Sequence, residues 1–395
     1  MIPKIDSDIG ISVYTTKYSG CGGRIREKRE DFAVSEIIDE KTIMHKEGYA
    51  VYKLKKSGID TNHALQNVFE KFGVHLKALG LKDANAVTEQ NVCSMGANKV
   101  LPNHSEEKFS IEKVGFAKRP LSAKDMMGNH FIIRIADAKD DAGNFVEWES
   151  VLNFYGYQRF GSKRPVTHLV GKALVQKRFD DAVSLMLSYT SEFDSEENTK
   201  IRKEMADPSK YKDALGQVPK QMDLERILLK EMIQHSDPAK AISQLPLSVR
   251  RLFVDAYQSY LFNLTLSESY EFGEELLKPQ QGDVCYDKNS KLGKYEKDPG
   301  QVLAIPMVGY SYFKKTRFDS HISKILQKEG VSPKDFYIKE MQEVSSEGGF
   351  RSARLVCLDV AAKKDTVSFT LKRGSFATMI LREIMKPTDP LDAGF

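Results

Sequence analysis

Apolar residues in the first third of the chain recur with two different periods. Ala64, Leu65, Val68, Phe69 and Phe72 fall on one face at helical spacing, with Thr61 or Asn62 placed to cap the helix and Gly73 to end it. Around that helix the period is two. Phe32 and Val34, followed by Ile37 and Ile38, predict a strand, and so do Tyr49, Val51, Tyr52 and Leu54. Residues 91–95 can continue as a strand, and Phe131, Ile133 and Ile135 share one face of a strand over 128–135. From about residue 158 to 345 the pattern turns helical, over 172–189, 224–235 and 250–266. The last of these carries Leu252, Phe253, Ala256, Tyr260, Leu261 and Leu264 at helical spacing. Residues 192–203 and 280–300 read as surface excursions. The chain closes with Val367, Phe369 and Leu371 alternating with Thr366, Ser368 and Thr370. A helix follows, with Ser375 as its cap and Phe376, Met379, Ile380 and Ile384 as its apolar face.

Composition narrows the class. A length of 395 residues suggests two or three domains, and 41% hydrophobic with 29% charged residues suits a soluble globular protein. No apolar signal core follows Met1, and no run approaches the roughly 18 apolar residues of a membrane helix. Cys21, Cys93, Cys285 and Cys357 form no C-x-x-C pair, and the eight histidines do not cluster. The expectation is reduced cysteines in a cytoplasmic protein with no metal site.

The formal charge of +4 is only mildly basic, so local clustering decides. Between Tyr155 and Arg178 stand Arg159, Lys163, Arg164, Lys172, Lys177 and Arg178, with no Asp or Glu. Basic residues interleaved with aromatics and glycines suit a phosphate backbone with accessible bases; the plainer alternative is a solvated helix face. Lys118, Arg119 and Pro120 make a basic turn, and Tyr310, Tyr312, Lys314, Lys315 and Arg317 a smaller basic-aromatic patch.

Gly80-Leu81-Lys82-Asp83-Ala84-Asn85-Ala86-Val87-Thr88-Glu89-Gln90 is the stretch that carries candidate chemistry. A carboxylate beside a cation, just after a glycine turn, can be held ionised and aimed into a cleft. An isolated Lys-Asp pair would be read as a solvated turn. This string, however, resembles the catalytic loop of TruD-type tRNA pseudouridine synthases, G-x-K-D-x-x-A-V-T-x-Q. Residues 26–36 resemble the same family's K-x-N-P-x-D-F-x-V-x-E, with Arg26 at the Lys position and Arg29 in place of the Pro. Residues 128–131 resemble its G-N-x-F segment, 153–161 its N-Y-F-G-x-Q-R-F-G, and 374–383 its G-S-F-A-T-x-x-x-R-E.

The resemblance implies an α/β (α+β) pseudouridine synthase fold, with a mixed, mostly antiparallel sheet and flanking helices. Residues 1–157 and 346–395 would form the catalytic domain and 158–345 a helix-rich inserted domain, with RNA in the cleft between them. It implies Asp83 as the catalytic residue. Arg26, Phe32, Lys82, Asn129, Phe131 and Arg382 would lie at the substrate, Phe131 against the target base, and Arg159, Lys163 and Arg164 would meet RNA. The expected reaction converts uridine to pseudouridine, at uridine 13 in the D arm of tRNA. It is redox-neutral and needs no group donor, so no cofactor is expected. tRNA is the expected partner, with no membrane and no obligate protein partner, and the chain looks closer to archaeal members. The competing reading is a non-catalytic RNA-binding protein or RNA chaperone. A nuclease or glycosidase would need a second placed carboxylate, for which only Glu89 is near in sequence.

Overall fold

The structure is a computed structural model that describes residues 1–82, 84–313 and 315–395. After a single helical turn α1 (Lys4–Asp8) come strands β1 (Phe32–Ile38) and β2 (Tyr49–Ser57), helix α2 (Thr61–Phe72), and strands β3 (Leu76–Ala78), β4 (Val87–Ser94), β5 (His104–Ser105), β6 (Phe109–Ala117) and β7 (Met126–Arg134). A helical run follows: α3 (Thr167–Val175), α4 (Phe179–Ser188), α5 (Glu196–Glu204), α6 (Tyr211–Gln217), α7 (Asp223–His235), α8 (Pro238–Ser243) and α9 (Leu247–Glu271). Then come β8 (Val284–Tyr286), β9 (Leu292–Lys294), β10 (Val302–Met307), α10 (Asp319–Glu329), β11 (Gly349–Ser352), β12 (Cys357–Lys363), β13 (Thr366–Lys372) and α11 (Ala377–Met385). The described chain forms two compact units: Thr16–Val151 with Leu355–Phe395, and Met1–Thr15 with Leu152–Arg354.

In the first of these, nine strands of the described chain form one sheet, in the order β12-β13-β7-β1-β4-β2-β6-β5, with β3 paired to β4. The pairs are antiparallel except β1 with β4, so the sheet is mixed and mostly antiparallel, as expected. Tyr52, Leu54, Val92, Phe109 and Ile111 meet Ala64 and Val68 of α2 in one core cluster. The cap of α2 differs from expectation: Asp60, not Thr61 or Asn62, accepts from the His63 N–H, while Gly73 ends the helix in the left-handed region as predicted. Thr61 is instead buried and bonded elsewhere. At the other end of the chain, Ser375 does not cap α11. Its first residue follows Phe376 without a side-chain cap, and all nine residues of α11 are buried. An apolar stripe predicts one covered face, but this helix is covered on every side.

The second unit is helix-rich with a four-stranded sheet, β11-β10-β8-β9. Its centre is α9, which buries Phe253, Tyr257, Leu261, Phe262 and Leu266. Helix α3 approaches α9 so closely that a Cβ on Gly171 would lie 1.9 Å from the Phe253 carbonyl oxygen. The predicted helix over 172–189 is two helices, parted at Lys177, whose φ is +59°. Two predicted surface excursions contain structure. Ser195 caps α5 by accepting from the Asn198 N–H, and α5 buries Ile201 and Arg202. The 280–300 stretch contains the β8–β9 hairpin. Met1–Thr15 is tied into this unit by Tyr157 donating to Asp6 (2.6 Å), Asn263 to the Ile9 carbonyl (2.9 Å) and the Ser12 N–H to Ser267 (3.1 Å). No described helix is long and apolar enough to cross a membrane.

Candidate active site

Strand register sets the candidate site on one face of the large sheet. Directly paired residues share a face, and one lateral row runs Lys56, Thr88, Val34, Phe131, Phe369 across β2, β4, β1, β7 and β13. The adjacent row pairs Leu54 with Gln90 on one side, and Glu36 with Asn129 and Asn129 with Leu371 on the other. Phe32, Val34 and Glu36 thus follow one inward alternation.

The segment that begins at Gly80 enters these rows as β4 from Val87 and is anchored at several points. Asp83 is outside the described residues; its neighbours are not. The Lys82 N–H donates to Thr61 Oγ1 (3.0 Å), and the Lys82 carbonyl accepts from Lys56 Nζ (3.1 Å). The Ala84 carbonyl accepts from the Gly58 N–H (3.1 Å). Gln90, the last position of the string, donates from Nε2 to the Gly80 carbonyl (3.0 Å) and accepts at Oε1 from Thr61 (2.9 Å). The backbone is therefore pinned on both sides of position 83, at Lys82 by the buried Thr61 and Lys56 and at Ala84 by the half-buried Gly58 N–H. Lys56 is 3% exposed and also donates to the Ile59 carbonyl. Sequence reasoning missed it because a lysine at the end of an alternating strand reads as solvated. Lys56→Met removes the clamp on the Lys82 carbonyl. On the string's resemblance to a catalytic loop, we expect kcat to fall about 10- to 100-fold with substrate affinity little changed, since small displacements of a reacting group cost on this scale. Steady-state turnover beside a binding titration checks this, and an unchanged kcat would refute the role of the clamp.

Lys82 is half-buried rather than solvated, its side chain 11% exposed. Its ammonium donates to Asn129 Oδ1 at 2.6 Å and stands 3.8 Å from Glu36 Oε2. Burial pushes the Lys82 pKa down, while the Glu36 charge pulls it back up. Burial pushes the Glu36 carboxyl up, against two hydrogen bonds that Oε1 accepts from the Asn91 backbone and side chain and against the Lys82 charge. Glu36 closes the 26–36 motif and continues its inward alternation, but sequence reasoning did not single it out as a site residue. Thr88 Oγ1 and Glu36 Oε2 are both buried with no hydrogen-bond partner among the described residues.

The aromatics of the motifs form a cluster on the same face. Phe131 packs edge-on to Phe32 (6.2 Å between centroids) and tilted against Phe369 (5.5 Å). Phe32 is 5% and Phe131 8% exposed. The Arg26 guanidinium lies 4.2 Å over the Phe32 ring, with NH1 donating to the Gly394 carbonyl. Arg382 is fully buried, 3.2 Å from Glu383 Oε1; Glu383 Oε2 accepts from the Thr16 N–H and hydroxyl. The site residues Lys82 and Asn129 thus touch directly, and Arg26, Phe32 and Phe131 form a chain of ring contacts.

The basic residues belong to the other unit, and its geometry sorts them. Arg159 is half-buried, its guanidinium 5.4 Å over the Tyr155 ring, and Lys163 is exposed. Arg164 is committed within the fold. Its guanidinium donates to the carbonyls of Leu185, Met186 and Tyr189 at the C-terminal end of α4, and burial lowers its pKa to about 10. The motif aromatics Phe154, Tyr155, Tyr157 and Phe160 are buried. Asn153 holds Arg351, whose guanidinium stacks 3.9 Å over Tyr155. The interleaving of aromatics with basic residues therefore reflects packing of this unit, not rings offered to bases. Lys314 of the second patch is outside the described residues; Arg317 there is paired with Asp283 and Glu274. Arg119 of the basic turn is paired with Asp125. Among the described residues, no group of three or more His, Cys, Asp or Glu could hold a metal.

A family model described as tRNA pseudouridine synthase D (TruD) matches residues 8–384. The chain belongs to this family. It is 32% identical to a probable tRNA pseudouridine synthase D of Pyrobaculum islandicum, over 100% of this chain and 99% of that one. It is 34% identical to a protein of the same description from Methanopyrus kandleri, over 85% of each. A crystal structure from Methanosarcina mazei, described under the TruD name, superposes with a TM-score of 0.80 at 27% identity, covering 99% of both chains. The similar proteins named here are archaeal, and the sheet described above is that of a TruD family member.

Proposed function

We propose that this TruD family chain converts uridine to pseudouridine in tRNA, at uridine 13 of the D arm, with Asp83 as the reacting carboxylate. The observation that carries the reading is the anchoring of the 80–90 segment on both sides of position 83, through Lys56, Gly58, Thr61 and Gln90. A segment with no demand on its geometry would not engage a buried lysine and two buried polar side chains. The isomerisation breaks the C1′–N1 bond, turns the uracil, joins C5 to C1′, releases the C5 proton and leaves a proton on N1, so product and substrate are isomers. It is balanced without oxidant, reductant or group donor. Its one protein requirement is a carboxylate acting on the ribose, and an aspartate of ordinary pKa, about 3.9, is ionised at neutral pH.

The target base has to leave its stack, at a cost of roughly a few kcal/mol. An aromatic surface can return about 1–3 kcal/mol, and Phe131, braced by Phe32 and Phe369, is the proposed surface. Arg159 and Lys163 are the proposed phosphate contacts; the commitments of Arg164 remove it from that set. Carbodiimide treatment followed by primer extension tests the site. Incubation of unmodified tRNA with the enzyme is expected to create one new stop, at uridine 13. A stop elsewhere, with none at 13, would overturn the positional assignment.

A further inference from the structure

Glu36 has no role in the chemistry above, yet it is the least ordinary titratable group on the sheet face. Its side chain is fully buried, and Oε1 is taken up by the Asn91 N–H (3.0 Å) and Nδ2 (3.2 Å). Oε2 has no hydrogen-bond partner among the described residues and faces the Lys82 ammonium at 3.8 Å. Glu36 and Asn129 are direct cross-strand partners, so β1 and β7 each send one acceptor to the same ammonium. Lys82 is the residue immediately before Asp83. An isolated buried lysine would be destabilised in its charged form, and a carboxylate at this distance is what keeps the charge.

We propose that Glu36 is a positioning residue for the isomerisation: it holds the Lys82 ammonium charged and seated against Asn129, and so fixes the segment that carries Asp83. This rests on the reading of Asp83 as the reacting group. Glu36 acts through Lys82 and is too enclosed to meet the substrate itself. Among the described residues, the other charged groups near β1 and β4 do not share its contact. Glu89 points to the opposite face, to Lys53 and Lys55, while Asp31 faces Arg134. From β7 the facing group is the neutral Asn129, and from β4 the neutral Asn91.

The sign of the pH effect follows from the geometry. Burial depresses the Lys82 pKa and Glu36 opposes that depression. Removing the Glu36 charge while keeping its shape lowers the Lys82 pKa further, so the alkaline limb of the kcat profile moves to lower pH. A merely structural glutamate would change stability without moving that limb.

The test compares wild type, Glu36→Gln, Glu36→Asp, Lys82→Met and the Glu36→Gln/Lys82→Met double variant, assayed for pseudouridine formation on unmodified tRNA across pH, with tRNA affinity and urea midpoint alongside. Glu36→Gln is expected to lower kcat about 10- to 100-fold, to leave KM within a few-fold and to shift the alkaline limb to lower pH. Glu36→Asp, which keeps the charge, is expected to retain the wild-type limb. The double variant is expected to be no slower than Lys82→Met, because both changes break one contact. A folded Glu36→Gln with wild-type kcat and limb overturns the proposal, and so do independent, multiplying losses in the double variant. If Glu36→Gln does not fold, the limb of Glu36→Asp and the kcat of Lys82→Met decide. Asp83→Asn is run in parallel: an active Asp83→Asn defeats the reading of Asp83, whereas an unperturbed Glu36→Gln beside an inactive Asp83→Asn defeats only the role of Glu36.

Discussion

Asp83→Asn is expected to bind tRNA within about threefold of wild type and to form pseudouridine at least about 10⁴-fold more slowly. The substitution is nearly isosteric and leaves the anchors on Lys82 and Ala84 in place. On the proposed mechanism it removes the one property the reaction needs, an ionised oxygen able either to attack the sugar or to take its proton. Loss of a reacting group commonly costs four to six orders of magnitude, far more than loss of a positioning contact. The proposed phosphate contacts are other residues, Arg159 and Lys163, so affinity and rate should separate. A gel-shift titration and a single-turnover assay on one tRNA preparation measure both. Activity within tenfold of wild type would remove Asp83 from the mechanism, and a parallel collapse of binding would mean that it serves to hold RNA.

Arg382→Met is expected to have the largest effect on stability. The Arg382 side chain is 1% and that of Glu383 2% exposed, and they meet at 3.2 Å in the last turn of a helix buried on all sides. Glu383 is held in turn by the backbone and hydroxyl of Thr16, and Lys386 donates to the Thr16 carbonyl. Methionine approximates the length of the arginine stem but takes from the buried carboxylate the cation paired with it at 3.2 Å, leaving the weaker attraction of Lys386. Removing one member of a buried pair costs roughly 3–5 kcal/mol. Urea denaturation monitored by circular dichroism should show the midpoint of this unit falling accordingly. A change under about 1 kcal/mol would mean that Glu383 is sustained by Thr16 alone. Restoring neutrality with Arg382→Met and Glu383→Gln together should recover part of the loss.

The strands near the site were legible because a half-covered sheet imposes period two, and Phe131, Ile133, Phe369 and Leu371 keep it. The loop was legible because its string of residues resembles a known family. What the sequence hid were inward-facing charges. Lys56 and Glu36 sit at the ends of alternating runs, where a charged residue reads as the strand leaving the core; partners distant along the chain, Lys82 for both and Asn91 for Glu36, help make burial tolerable. Asp60 displaced Thr61 as a cap because the Thr61 hydroxyl is spent on Lys82 and Gln90. Arg164 shows the opposite error. It stands in a stretch without acidic residues, yet its partners are carbonyls and a glutamate far along the chain, which composition does not register. The polar 192–203 stretch read as a loop because little of α5 is apolar; its helix is held by a serine cap and by Arg202 between Asp194 and Glu225.

The central claim is that Asp83 drives formation of a C5 glycoside at one uridine. The most direct measurement is tritium release from tRNA labelled at C5 of uridine, comparing a tRNA with uridine 13 and one with cytidine there, each with wild type and Asp83→Asn. The account predicts release approaching one tritium per molecule from wild type acting on the uridine 13 tRNA, and background in the other three reactions. Equal release from Asp83→Asn, or no release from any tRNA that wild type binds tightly, would contradict it.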